Sequence, residues 1–173
     1  MSMRKLIPAA AVLFCANGAW AEGPGLGQAL SAEEIPWYAS YAMPDGRGLP
    51  EGGGTAAVGA GIYDGKCAAC HGATGVEGPV TPPVGPNDIW AKPAGRYWPY
   101  ATTLFDYIRR AMPIDAPKSL TNDEAYALAA FILYRNGVIG EAEAMNAQTL
   151  PAVVMPNRDN FTDVWAKQGA TPW

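Results

Sequence analysis

Cys67, Cys70 and His71 are the residues of this chain best placed to do chemistry. They stand in the run Cys67-Ala68-Ala69-Cys70-His71, and the pattern C-x-x-C-H is the attachment signature for c-type haem. Two thiols three positions apart can each add to one haem vinyl group. The adjoining imidazole can then reach the iron from the same face. Other uses of the pattern fit poorly. A structural zinc site takes four ligands, and the run offers two cysteines and one histidine. A thioredoxin-like redox pair needs a βαβ context, and no such alternation is visible. A plain disulfide leaves the neighbouring His71 without a role. The pattern predicts one haem c, covalent through Cys67 and Cys70, with His71 as one axial ligand.

The other axial position must be filled differently, because His71 is the only histidine of the 173 residues. Methionine, lysine, tyrosine or an open position remain. A thioether is the usual partner of histidine in electron-transfer haem and raises the reduction potential. Beyond the first residues the methionines are Met43, Met112, Met145 and Met155. Met112 and Met155 each precede a proline in a loop, and only Met112 lies between two helical segments. Met112 is therefore the first candidate and Met155 the second.

The start of the chain reads as a secretory signal. Arg4 and Lys5 precede a short apolar run from Leu6 to Cys15, and Ala19-Trp20-Ala21 is an A-x-A-like cleavage site. Cleavage there predicts a periplasmic protein without a membrane span, since the apolar run is too short to cross a bilayer. It also removes Cys15 and two basic residues. Lys plus Arg falls from 12 to 10 against 16 Asp plus Glu, a net charge of −6. That acidic balance argues against nucleic acid as a partner. The cysteines left are Cys67 and Cys70, so an oxidising compartment offers no structural disulfide.

The elements that must position the motif are helices. Ala56 to Cys67 reads as a helix leading into it, with Gly59 and Tyr63 on one face. The Gly-, Pro- and Thr-rich stretch after His71, up to Asn87, reads as a loop wrapping one side of the haem. Thr103 to Ala111 reads as a short helix, apolar at Leu104, Tyr107, Ile108 and Ala111. Thr121 and Glu124 form a capping box for a longer helix ending near Arg135, with Gly137 as its stop. A further helical candidate runs from Glu141 to Asn146. Ser31 to Glu34 resembles another capping box. Trp37, Tyr38 and Tyr41 read as anchors that pack back on the domain, with packing on a partner as the rival. Trp90, Tyr97, Trp98, Tyr100, Lys92 and Arg96 are either propionate donors, Arg96 and Trp98 foremost, or an aromatic core cluster. Trp165 and Trp173 mark a tail that packs along the domain or stays loose.

With Gly59, Tyr63, Leu128 and Phe131 in these places, the chain resembles a class I cytochrome c over residues 57 to about 137. That resemblance implies an all-α fold in which the first and last core helices cross. Gly85-Pro86-Asn87 is similar to the family loop whose proline carbonyl receives the N–H of the haem histidine, with Pro83 as the competitor for Pro86. A closer resemblance runs over nearly all of the chain after residue 21. Pro44-Asp45-Gly46-Arg47-Gly48-Leu49-Pro50, Tyr97-Trp98-Pro99-Tyr100-Ala101-Thr102-Thr103, Arg109-Arg110-Ala111-Met112-Pro113 and Met155-Pro156-Asn157-Arg158 carry it. They are similar to the cytochrome subunits of periplasmic molybdenum sulfite dehydrogenases and of the Sox sulfane dehydrogenase. Some Sox-type subunits are longer and carry two haems, whereas this chain has one motif. The resemblance implies Met112 as the axial methionine. It also implies a molybdenum oxidoreductase subunit as electron donor and a downstream cytochrome or oxidase as acceptor. The organisation expected is a signal peptide over 1–21, a Gly/Pro-rich extension over 22–56, a cytochrome c domain over 57–140 and a second extension over 141–173. The rival functions are a haem enzyme acting directly on a sulfur compound or peroxide, and a gas-binding haem sensor.

Overall fold

The best-capped segment of the sequence becomes the central helix. Thr121 Oγ1 accepts from Glu124 N at 3.2 Å, and Glu124 Oε2 accepts from Thr121 N at 2.9 Å. Two otherwise orphaned amides are thereby satisfied at once. The helix runs Asn122–Arg135, and Gly137, at φ +67°, ends it in the left-handed region that glycine adopts without strain. Every residue from Ala125 to Leu133 is buried. A helix buried on all sides is a core element, not a surface one.

The structure is a computed structural model and describes residues 27–38, 41–86, 92–162 and 164. Residues 1–21, expected to be a signal peptide, together with Asn87, Trp90, Trp165, Trp173 and the side chain of Trp37, lie outside the described residues. In chain order the elements are α1 Ile35–Tyr38, β1 Gly53–Thr55, α2 Ala56–Lys66, α3 Ala68–His71, α4 Ala94–Tyr97, α5 Ala101–Ala111, α6 Asn122–Arg135 and β2 Ala144–Asn146. Short 3-10 turns follow at Leu150–Ala152 and Arg158–Asn160. Among the described residues no helix is long and apolar enough to cross a membrane.

α2 and α5 pack on α6, and each does so through a particular device. α2 crosses where it has no side chains. A Cβ on Gly59 would lie 2.0 Å from Ala127 O, and one on Gly54 would lie 2.5 Å from Ala127 Cα. Beyond the crossing, Tyr63 meets Phe131 with ring centroids 4.9 Å apart. α5 buries Leu104, Phe105 and Ile108, and Phe105 stacks on Tyr126 at 4.2 Å. The phenol of Tyr126 donates to Pro50 O at 2.9 Å, so a buried ring keeps its polar end satisfied. The expected crossing of the first and last core helices is the one observed. α5 starts at Ala101, a little earlier than its periodicity suggests, because the extended Tyr100 already serves as its N-cap.

One predicted helix is absent. Glu141 to Asn146 does not coil; Ala144–Asn146 forms β2, antiparallel to β1, with Gly54 opposite Met145. The ladder places Met145 in the core at 2% exposure. Asn146 Oδ1 then accepts from Gln148 N at 2.8 Å and Thr149 N at 2.9 Å, and this side-chain turn ends the strand. The fold is thus mostly helical with one small two-stranded sheet.

Both flanks are fastened to the core. Ala42 N donates to the buried Asp106 Oδ1 at 2.9 Å, Asn122 Nδ2 to Glu51 O at 3.2 Å, and Gly53 N to Asp123 Oδ1 at 2.8 Å. On the other side Leu150 and Met155 are buried, and Asn157 Nδ2 donates to Tyr97 O at 2.7 Å. The Ser31–Glu34 box is present, with Ser31 N donating to Glu34 Oε2 at 2.9 Å. Tyr38 and Tyr41, read from sequence as core anchors, are instead 62% and 51% exposed. Tyr38 ends α1, and Lys118 Nζ sits over its ring at 5.8 Å.

Candidate functional site

The motif begins where α2 runs out. Cys67 N still donates to Tyr63 O at 2.9 Å, and His71 N donates to Cys67 O at 2.9 Å, making α3 a single turn. Gly72, at φ +84°, then turns the chain away. Both cysteines are free thiols, Cys67 half-buried and Cys70 exposed. Burial pushes the Cys67 thiol up to about 11, with Lys66 opposing and Cys70 adding to the rise. Tyr63 Oη donates to Gly72 O at 3.1 Å, which ties α2 to the chain leaving the motif.

The stretch after His71 folds back onto the motif. A Cβ on Gly78 would lie 2.2 Å from Cys70 O and 2.3 Å from His71 C, so only glycine permits that approach. Glu77 braces the bend. Its carboxylate accepts from Thr74 N at 3.0 Å, Thr74 Oγ1 at 2.5 Å and Val76 N at 3.1 Å. The Thr74 hydroxyl first, and then the Thr74 amide, hold its pKa down at about 2. Further on, Val84 N donates to Gly75 O at 3.1 Å.

This fold-back sets the partner of the histidine. His71 Nδ1 lies 3.0 Å from Thr81 O. A carbonyl oxygen can only accept, so Nδ1 carries the proton and Nε2 keeps its lone pair for a metal. The sequence reading placed Pro86, with Pro83 as competitor, in this role, and the geometry corrects both. Pro83 O already accepts from Gly95 N and from Asn136 Nδ2, each at 3.1 Å. Pro86 is exposed and follows Gly85, whose N–H is held by Asn136 Oδ1 at 3.2 Å.

The methionines divide cleanly. Met145 and Met155 are 2% and 1% exposed within the core cluster, so protein closes around each thioether. Met43 opens the turn at Pro44–Gly48, its N–H donating to Arg47 O at 2.8 Å. Met112 is the extended residue that caps α5, its N–H donating to Ile108 O at 3.1 Å. It is half-buried and keeps an open face.

The aromatic stretch splits between the two jobs considered for it. Tyr97 meets Phe161 edge-on at 5.6 Å and Lys92 Nζ lies 5.5 Å from its centroid, while Arg158 lies 4.9 Å from the Tyr100 ring. These residues hold the tail. Trp98 is half-buried and meets Tyr107 edge-on at 5.2 Å. Arg96 stands apart. Its Nη1 donates to Asn136 O at 3.1 Å, but its Nε is buried without a partner among the described residues. A buried donor of that kind calls for an acceptor, and a haem carboxylate supplies one. The donor set therefore fits haem: two free thiols, an imidazole with Nε2 available, a thioether with an open face and an unpaired guanidinium nitrogen.

Three residues that position this site escaped the sequence reading. Gly78 and Thr81 were absorbed into a generic loop. Asn136 was passed over for its neighbour Gly137, although an asparagine directly ahead of a helix-stop glycine is itself a signal of side-chain capping.

Residues 54–132 match the family model described as cytochrome C oxidase, cbb3-type, subunit III. No curated protein matches the chain. Among solved structures, a chain in the crystal structure of the sulfane dehydrogenase SoxCD from Paracoccus pantotrophus is 34% identical, with a TM-score of 0.72. The match covers 87% of this chain and 77% of that one. The chain belongs to the c-type cytochromes and has their class I fold. Within that class it is similar to a chain of a sulfane dehydrogenase.

Proposed function

We propose that this protein is a periplasmic mono-haem electron carrier. It takes single electrons from a molybdenum subunit of the sulfite or sulfane dehydrogenase type and delivers them to a downstream cytochrome or oxidase. The observation that carries the reading is the His71 ring, fixed by Thr81 O so that Nε2 faces outward as a donor beside two free thiols. The secretory signal at the start of the sequence supports the compartment, and the likeness to the SoxCD chain supports the donor.

The haem, when bound, supplies a one-electron ferric–ferrous couple. The remaining work belongs to the chain. Cys67 and Cys70 hold the group by two thioether bonds. His71 donates from Nε2 while Thr81 O fixes its ring and strengthens it as a ligand. Met112, half-buried at the end of α5, would supply a thioether sulfur to the iron. Arg96 Nε takes a carboxylate, with Trp98 beside it as a second candidate. Two strong protein ligands leave no coordination site for a substrate, which suits electron transfer better than turnover at iron.

The test is the purified exported protein. Mass spectrometry should show one haem retained after denaturation in the wild type and none in the Cys67→Ala/Cys70→Ala double variant. The ferric spectrum should be low-spin with a methionine–iron charge-transfer band. A high-spin ferric spectrum, or rapid carbon monoxide binding by the reduced protein, would replace the carrier with an enzyme or a gas sensor. Isolation of the native complex should return a molybdenum subunit. Shortening the arm up to residue 40 should weaken that association and leave haem attached; unchanged association would remove the arm from the interface.

A further inference from the structure

Asn136 lies at the end of α6 and is 4% exposed. Every polar group of its side chain is used. Nδ2 donates to Ile132 O at 2.7 Å and to Pro83 O at 3.1 Å, and Oδ1 accepts from Gly85 N at 3.2 Å. The amide therefore grips the chain on both sides of Val84, as the edge of a neighbouring strand would. Val84 is itself buried and bonded to Gly75 O. The main-chain oxygen of Asn136 accepts from Arg96 Nη1 at 3.1 Å. Gly95 makes room for this cluster: a Cβ there would lie 2.4 Å from Asn136 Nδ2 and 2.9 Å from Pro83 O.

The clamp falls two residues beyond Thr81, whose oxygen accepts from His71 Nδ1. No helix or sheet orients that carbonyl. Its direction is inherited from Pro83 and Gly85, and Asn136 holds those. We infer that Asn136 is a positioning residue for the iron-binding histidine. Its side chain sets the Thr81–His71 hydrogen bond, and its backbone fixes the guanidinium whose Nε is left for a haem carboxylate. A single residue at the end of the core helix thus joins the histidine side of the haem to its carboxylate side. The inference rests on the reading of the protein as a His-ligated cytochrome. It touches neither the covalent attachment nor the methionine.

Asn136→Leu keeps the branched shape, removes all three side-chain bonds and leaves the backbone oxygen for Arg96. In the haem-loaded, full-length protein it should keep the methionine–iron band. The His71 Nδ1 proton, followed by NMR in the reduced state, should exchange about tenfold faster, the scale of one lost hydrogen bond. The reduction potential should rise, because a histidine less polarised by Thr81 is a weaker donor to ferric iron. Gly95→Ala, which crowds the same cluster from α4, should move both quantities in the same directions. Gly61→Ala, whose Cβ meets nothing within 4 Å, should move neither. If Asn136→Leu does not accumulate, the wild type still decides the matter. The Gly85 amide and the His71 Nδ1 proton should lose protection together as denaturant is added. Independent exchange of the two protons, or variants with unchanged exchange and potential, would overturn the inference. A wild type that lacks a His-ligated low-spin spectrum would instead fail the underlying functional reading, so the two failures are distinguishable.

Discussion

The two iron ligands assigned to this protein are held in opposite ways. Around His71 the chain doubles back on itself. Gly78 lies against the motif backbone, Glu77 collects three donors, Thr81 takes the imidazole proton and Asn136 locks the following residues. Around Met112 there is the end of a helix, one backbone bond to Ile108, and then a stretch in which Ile114 is 75% exposed. The histidine side is fixed by many local bonds that no one element supplies. The methionine side is fixed by α5 as a whole, and so by what anchors α5. Chain packing defines the first ligand before iron arrives, whereas the second has freedom to adjust its sulfur to the metal.

That contrast can be broken most sharply at Gly78. Gly78→Ala pushes a methyl group into the backbone of Cys70 and His71, where nothing flexible can give way. A loss of about 3 kcal/mol of stability is expected in urea unfolding, with a low yield of haem-bearing protein. Met112→Ala should do the reverse. The methionine–iron band should vanish and the potential should fall, while stability drops by no more than about 2 kcal/mol, since the side chain is half-buried. If the band survives in Met112→Ala and is lost in Met155→Ala, the assignment passes to Met155.

Asp106 tests whether α5 carries the methionine side. Its buried carboxylate accepts from Ala42 N at 2.9 Å and from Arg110 Nε at 2.9 Å. Asp106→Ala should cost about 2 kcal/mol by leaving the part-buried Ala42 amide unpaired, and should broaden the methionine signals without moving those of His71.

The Glu77 brace predicts a pH effect confined to the histidine side. Its pKa is depressed when folded, so its contribution is complete above the ordinary value near 4.5 and fades as pH falls toward about 2. Exchange of the Thr74 and Val76 amides should quicken over that window. In Glu77→Gln the pH dependence should be gone; its persistence there would assign it to another group. The smallest effect belongs to Lys66 and Glu124, paired at 2.6 Å on the surface between α2 and α6. Lys66→Met should change stability by less than about 1 kcal/mol, a change that salt erodes further.

What was legible in the sequence was what is local. The Cys67–His71 motif, the Thr121–Glu124 box with Gly137, and the Gly59–Tyr63 face each depend on residues a few positions apart, and the box and the face have their expected form. What depends on distant parts of the chain was not. Asn146 follows a plausible helical run, yet its partner is Gly53, reached only through the folded core. Pro86 was the acceptor implied by the likeness of Gly85-Pro86-Asn87 to the family loop, but carbonyl direction is set by Asn136, far along the chain, and a local likeness does not encode direction. Tyr38 and Tyr41 were assigned to the core on size alone, and their arm stays out in solvent.

The pairing of β1 with β2 has a consequence for order in time. Every chain is made from its N-terminus, so Cys67 to His71 emerge well before α6, which must cover Tyr63, and before Met145, Leu150 and Met155, which complete the core. Until that later segment arrives, the core against which Cys67 packs is incomplete. Afterwards Cys67 is half-buried beneath the finished fold. Cys70 differs, for it stays open in the finished fold as well.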